Sequence, residues 1–167
     1  MEKLWSPWRS LYIQSFKEGK KDNNCIFCNA VEEDLNSESS LVVRKSKLTI
    51  TVLNLYPYNN GHLMVVPNRH LSDFLELNPE ENAEVMSELQ LALKCLKMIS
   101  KPDGFNVGAN IGKSSGAGID DHLHFHIVPR WNGDTNFMPV LGEVKVLSQD
   151  LLQTKKELIR AYESVLS

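Results

Sequence analysis

Five short apolar-rich stretches, residues 41–43, 48–53, 61–67, 105–111 and 122–128, read as β-strands bounded by turn residues. The first two flank a Lys-Ser-Lys turn and pair as an antiparallel hairpin, and Asn54-Leu55-Tyr56-Pro57 then leaves the sheet. Two longer segments carry helical spacing instead. Val85, Met86, Leu89, Ala92, Leu93, Leu96 and Ile99 form one apolar stripe. That helix has a strong start at Asn78-Pro79-Glu80-Glu81, with Asn as N-cap, Pro at the first helical position and Glu81 closing a capping box. Lys101-Pro102-Asp103-Gly104 ends it with a turn. A final helix, 148–166, is capped by Ser148 and striped with Leu151, Leu152, Leu158, Ile159, Tyr162 and Leu166. Residues 29–39 are acidic and serine-rich, a short helix or loop, and 138–147 are extended.

The last strand breaks the ordinary pattern. His122-Leu123-His124-Phe125-His126-Ile127-Val128, read at period two, projects three imidazoles from one face where a core strand would carry Val, Ile or Leu. Buried imidazoles need a partner for each ring nitrogen. Grouped together and neutral, they can ligate metal, shuttle protons or attack phosphorus. A solvated strand with a chance cluster is the plain alternative. The chain has five histidines, and three of them fall here.

Two further motifs carry chemistry. Cys25-Ile26-Phe27-Cys28 can grip one metal ion in a tight turn, with His70 and His122 as candidates for the two missing ligands. A redox pair is the competing use, but it would sit at a helix N-terminus after a strand, and Lys-Lys-Asp-Asn-Asn before Cys25 is no strand. Cys95 lies on the apolar helical face and reads as core. Gly112-Lys-Ser-Ser-Gly-Ala-Gly-Ile119 is a glycine-rich loop running into the triad strand, where backbone N–H groups can approach phosphate oxygens. Lys113, Ser114, Ser115 and Gly116 belong to it, and Asn110 stands just before it.

The sequence His-φ-His-φ-His-φ-φ (φ apolar) resembles the signature of the histidine triad superfamily of nucleotide hydrolases and transferases. Its extension Pro-Arg-Trp-Asn-Gly-Asp-Thr-Asn-Phe (129–137) is similar to the branch that includes diadenosine tetraphosphate phosphorylases. The resemblance covers roughly residues 1 to 140, including the opening Trp5-Ser6-Pro7-Trp8-Arg9. It implies an α+β domain with a mainly antiparallel five-stranded sheet, helices on one face, and a two-fold homodimer. It implies His124 as the nucleophile on the α-phosphorus, His126 at the transferring phosphate or leaving oxygen, and His62 as a fourth histidine supporting both. Asn54 takes the place of the residue that hydrogen-bonds the ribose, although a turn residue at a strand end is the plain account of it. The resemblance also implies zinc on Cys25, Cys28, His70 and His122. Asn110, Lys113, Ser114, Ser115, Gly116 and Arg130 are candidate substrate contacts; Arg130 serves equally well as a surface ion-pair residue. Commoner branches carry Gln-Ser or Gln-Thr in the loop, where this chain has Gly118 and Ile119, so a side chain at the leaving group is missing.

Composition narrows the setting. With 167 residues and no repeat or linker the chain reads as one domain over 1–167, whose first 24 residues are an arm that packs on its own body, or else crosses to a partner subunit or lines the active-site mouth. The net charge of −3 recruits neither nucleic acid nor an acidic membrane, and no stretch approaches the length of an apolar membrane span. The expected location is the cytoplasm and the expected partner a nucleotide. Magnesium is compatible with a polyphosphate substrate but not demanded. Three functions remain in play: a phosphorylase or hydrolase of dinucleoside polyphosphates or phosphoramidates, a non-catalytic nucleotide-binding protein, and a structural zinc protein.

Overall fold

Alternation along the strands sorts their side chains onto two faces, and both faces are covered. In the computed structural model, which describes residues 25–116, 118–134 and 150–167, the elements run in the following order. They are α1 (Ile26–Glu32), β1 (Val42–Lys45), β2 (Thr49–Leu53), β3 (Leu63–Pro67), α2 (Pro79–Ser100), β4 (Gly104–Gly108), β5 (Phe125–Arg130) and α3 (Leu151–Leu166). The five strands form one antiparallel sheet in the order β1-β2-β3-β5-β4. The arm, the 138–147 stretch expected to be extended, and Ser148 lie outside the described residues.

One face packs Val43, Leu53, Leu63, Val65 and Ile127 against Val85, Leu89, Ala92, Cys95 and Leu96 of α2 and Leu158, Ala161 and Tyr162 of α3. The two long helices therefore share one side of the sheet. The opposite face carries Val42, Ile50, Val52, Met64 and Val66, covered by Phe27 and Ala30 of α1. His126 pairs with Met64 across the β3–β5 ladder and so belongs to this second face. The triad and the two-cysteine motif thus lie on the side away from the long helices.

Both helix starts follow local chemistry. Asn78 and Glu81 form the expected reciprocal cap on α2, whereas α3 starts from Asp150, whose carboxylate accepts from Leu152 N and Gln153 N. The cap is therefore Asp150 and not Ser148. The apolar stripe of α2 is narrower than its sequence suggests. Met86 is 57 % exposed, because the buried line runs through Val85, Leu89, Ala92, Cys95 and Leu96. On α3 the buried line is Thr154, Leu158, Ala161 and Tyr162, leaving Leu152 and Leu166 exposed. Glu88 is buried on α2 because the Arg44 guanidinium meets it in two bonds of 2.7 and 3.0 Å. Lys155 of α3 is buried with its ammonium donating to Ser37 O and Ser40 O.

The triad strand starts later than its alternation predicts. His122 and His124 precede β5, because Leu123 N donates to Leu71 O at 2.7 Å instead of to a neighbouring strand. β3 stops at Pro67, whose carbonyl is taken up by the His122 ring. β4 likewise ends at Gly108, short of Ile111.

Candidate active site

Three backbone groups decide which nitrogen of each triad histidine carries the proton. His124 Nδ1 lies 2.8 Å from the carbonyl oxygen of His122. A carbonyl can only accept, so Nδ1 holds the proton and Nε2 is left with a bare lone pair. His122 Nε2 lies 2.9 Å from Pro67 O, so its Nε2 is protonated and its Nδ1 is bare. The third assignment passes through His62. Tyr58 N–H donates to His62 Nδ1 at 3.1 Å, and the Asn54 amide nitrogen stands 3.4 Å from the same atom. His62 Nε2 is therefore the protonated one, and it donates to His126 Nδ1 at 2.9 Å. His126 is left with a proton on Nε2.

One neighbour thus presents a bare nitrogen and the other an N–H. Their rings are 4.8 Å apart, nearly perpendicular. Burial lowers the pKa of His124, with the His122 carbonyl acting against it, and lowers that of His122 as well. Burial, helped by His124, pushes His126 down to about 4. All three imidazoles are neutral near pH 7.

His62, buried in the sheet, is presented by a tight turn over 54–62. Asn54 N donates to His62 O, His62 N donates to Asn59 O, and the Asn54 side-chain oxygen accepts from Tyr56 N. Gly61 sits in this turn at φ +72°, and a Cβ there would lie 2.9 Å from Leu96 Cδ2. The Tyr58 ring, 55 % exposed, lies 4.9 Å from the His62 ring and 6.3 Å from that of His126.

The cysteine motif forms the second half of the site. Cys25 is the N-cap of α1 and Cys28 lies in its first turn, so the motif opens a helix rather than standing in a loop. Cys25 Sγ is 3.2 Å from His122 Nδ1, and Cys28 Sγ is 3.3 Å from His70 Nδ1. The four candidate donor atoms of Cys25, Cys28, His70 and His122 all lie within 4.8 Å of one another. Two sulfurs and two imidazole nitrogens are the donor set of tetrahedral zinc, and the second nitrogen of His122 is anchored on a carbonyl in the usual manner of a metal-bound histidine. The residues fit such an ion. Cys95 is fully buried, and burial lifts its thiol to about 11.

Phe27, between the two cysteines, is 2 % exposed and packs on both triad rings, 5.5 Å from His122 and 4.9 Å from His124. Sequence reasoning missed it. Its place between two metal-type cysteines was the available signal.

The remaining candidates are less tightly held. Lys113–Ser115 form a 3-10 turn between Gly112 and Gly116, both at positive φ, and the Ser115 hydroxyl donates to Gly112 O. Lys113, Ser114, Ser115 and Gly116 are exposed, and Asn110 is half-buried just beyond β4. Arg130 takes the ion-pair role, with Nε 2.6 Å and Nη2 2.8 Å from the Asp134 carboxylate and Nη1 2.9 Å from Asn106 Oδ1.

A cluster with one bare imidazole, one imidazole donor and a supporting histidine is the arrangement of a histidine triad protein. A model of the HIT domain matches residues 36–133, and the chain belongs to that family. Its relatives include the AP-4-A phosphorylase of Mycobacterium tuberculosis, 44 % identical over 160 residues that span 93 % of this chain and 82 % of that protein. Among solved structures it is similar to a histidine triad nucleotide-binding protein from Sulfolobus tokodaii, with 28 % identity, a TM-score of 0.68, and coverage of 84 % of this chain and 93 % of the other. A zinc-bound histidine triad family protein from Mycobacterium smegmatis shares the fold, with 24 % identity, a TM-score of 0.67, and coverage of 85 % and 95 %.

Proposed function

We propose that this protein is a diadenosine tetraphosphate phosphorylase working through a nucleotidyl-His124 intermediate. The observation that carries the reading is the pair of opposite tautomers: a bare His124 Nε2 beside a protonated His126 Nε2, each set by the backbone. The 44 % identity to the mycobacterial AP-4-A phosphorylase supports the substrate class. In the first step His124 Nε2 attacks the α-phosphorus, forming an N–P bond as the P–O bond to the leaving nucleotide breaks. His126 donates a hydrogen bond from its Nε2–H to that departing oxygen, which leaves as an anion with the proton still on His126, and His62 supports His126 from behind. In the second step an oxygen of inorganic phosphate attacks the same phosphorus. The electron pair of the N–P bond returns to His124, and ADP is released.

Backbone N–H groups of the 112–116 loop, with Lys113, Ser114 and Ser115, are the anion contacts in this reading. Asn110 adds an amide, and Asn54 holds the ribose. Arg130 is spent on Asp134 and contributes through the fold. Zinc on Cys25, Cys28, His70 and His122 supplies a structural tie between α1 and the triad. Magnesium comes with the polyphosphate. The homodimer forms along β4, an edge strand on which Val107 is 49 % exposed.

Incubation with diadenosine tetraphosphate and labelled phosphate tests the reaction. The expected products are ATP and ADP, with label in the terminal phosphate of ADP and a strong slowing when phosphate is omitted. ATP plus AMP at the same rate with or without phosphate would make the chain a hydrolase.

A further inference from the structure

The extension after the triad, residues 129–137, singled out by its resemblance to the phosphorylase branch, is in its described part, 129–134, occupied with something other than binding anions. Among the described residues, Asp134 gathers donors from three, Arg130, Trp131 and Asn59, in two parts of the chain. Its carboxylate accepts from Arg130 Nε and Nη2, from Trp131 N at 3.2 Å, and from the side-chain amide of Asn59 at 2.7 Å. The same Asn59 amide donates to Pro129 O at 2.9 Å. Asn59 is 6 % exposed, so its end of the junction is shielded from water, while the Arg130 side chain is 45 % exposed.

What Asn59 holds is the turn that sets the tautomer of His62. Its carbonyl accepts from His62 N, and the preceding residue supplies the N–H that occupies His62 Nδ1. If Tyr58 N–H moves away, of the two donors described at Nδ1 the longer 3.4 Å contact from the Asn54 amide remains, and His62 can place its proton on Nδ1 instead. Its bare Nε2 would then face His126 Nδ1, and His126 would have to turn its own proton inward to meet it. The outward N–H of His126 would be lost without any change in His126 itself.

We propose that Asp134, acting through Asn59, is a positioning residue for the proton on His126 Nε2, and that the 129–134 extension is a clamp for the histidine relay. The proposal rests on the reading of His126 as the hydrogen-bond donor that stabilises charge on the leaving oxygen. Asp134→Asn cuts the clamp on one side and Asn59→Ala on the other.

Two measurements on the full chain separate the clamp from a general loss of structure. Long-range ¹H–¹⁵N spectra of the histidine rings report which nitrogen of His126 is protonated. We expect Nε2–H in the parent chain and a gain of Nδ1–H in both variants. Turnover is compared on diadenosine tetraphosphate and on adenosine 5′-phosphorofluoridate, whose fluoride is a weaker base than the leaving phosphate oxygen and depends less on a hydrogen-bond donor. The variants should lose about tenfold or more in kcat on the first substrate, with KM little changed, and much less on the second. An unaltered Nε2–H tautomer in both variants overturns the proposal. A tautomer change with both substrates slowed alike overturns its catalytic half and traces the failure to the reading of His126 as the donor to the leaving oxygen.

Discussion

Three histidines two residues apart, two leading into β5 and one on it, present three different faces to the chemistry, and the difference comes from what lies behind each ring. A carbonyl behind His124 leaves a nucleophilic nitrogen in front, and a carbonyl behind His122 leaves a nitrogen free for metal. Behind His126 stands a histidine that donates, so His126 itself offers a proton. Replacing His124 by Ala should lower turnover of diadenosine tetraphosphate by roughly a thousandfold or more while nucleotide affinity changes little, since the lost group acts at phosphorus. Steady-state kinetics beside equilibrium binding measures both. Retention of a tenth of the parent rate, or a nucleotidyl adduct mapped elsewhere, would reject the assignment.

The smallest helix has the largest functional load. α1 has seven residues, too short to stand alone, and it is tied to the sheet by Phe27 and Ala30 and by the cysteines at its start. Elemental analysis should find about one zinc per chain, absent from Cys25→Ser. Because Phe27 packs on His124, that variant should lose turnover as well as stability. Phe27→Leu keeps all four ligands and should retain the metal while slowing turnover. A Phe27→Leu variant with parent kinetics would confine α1 to a structural role. The 54–62 turn is a second element of this kind, and Gly61 permits it. Gly61→Ala forces an alanine to φ +72° against Leu96, and urea unfolding should show a loss of about 1–2 kcal/mol.

For the molecule as a whole, the division of the sheet into a helix-covered face and a histidine face has a consequence for acid stability. His126 is held to about 4, below its ordinary 6.5, by burial and by His124. Between those values the unfolded chain binds more protons than the folded one. Its contribution is therefore intact above pH 6.5 and lost as pH falls through about 4. Denaturant midpoints of the parent chain should drop from pH 7 to pH 4.5. His126→Asn removes one such group and should flatten the drop. Equal slopes for the two proteins would mean that His126 is not buried in its neutral form.

Local patterns were sufficient for much of this. Strand alternation, the Asn78–Glu81 capping box and the spacing of the three histidines are effects between residues a few positions apart, so the five strands, α2 and the triad were legible before any coordinates. The boundaries were less so: β5 starts at Phe125 because Leu123 bonds to Leu71, a partner 52 positions away that periodicity cannot register. The candidate metal set was partly legible, through one two-cysteine motif and a family resemblance. The convergence of Cys25, Cys28, His70 and His122 depends on how α1 folds across the sheet. Tautomers were open in the sequence, since an imidazole is symmetric in its choices until a carbonyl or an N–H is fixed against one nitrogen. The two accounts of Arg130 were likewise equal in the sequence, and Asp134 decided between them by standing one turn away, with Asn59 brought to it from 75 positions earlier. Residue type and spacing determined which groups could act; long-range packing alone determined which nitrogen, and which partner, each of them has.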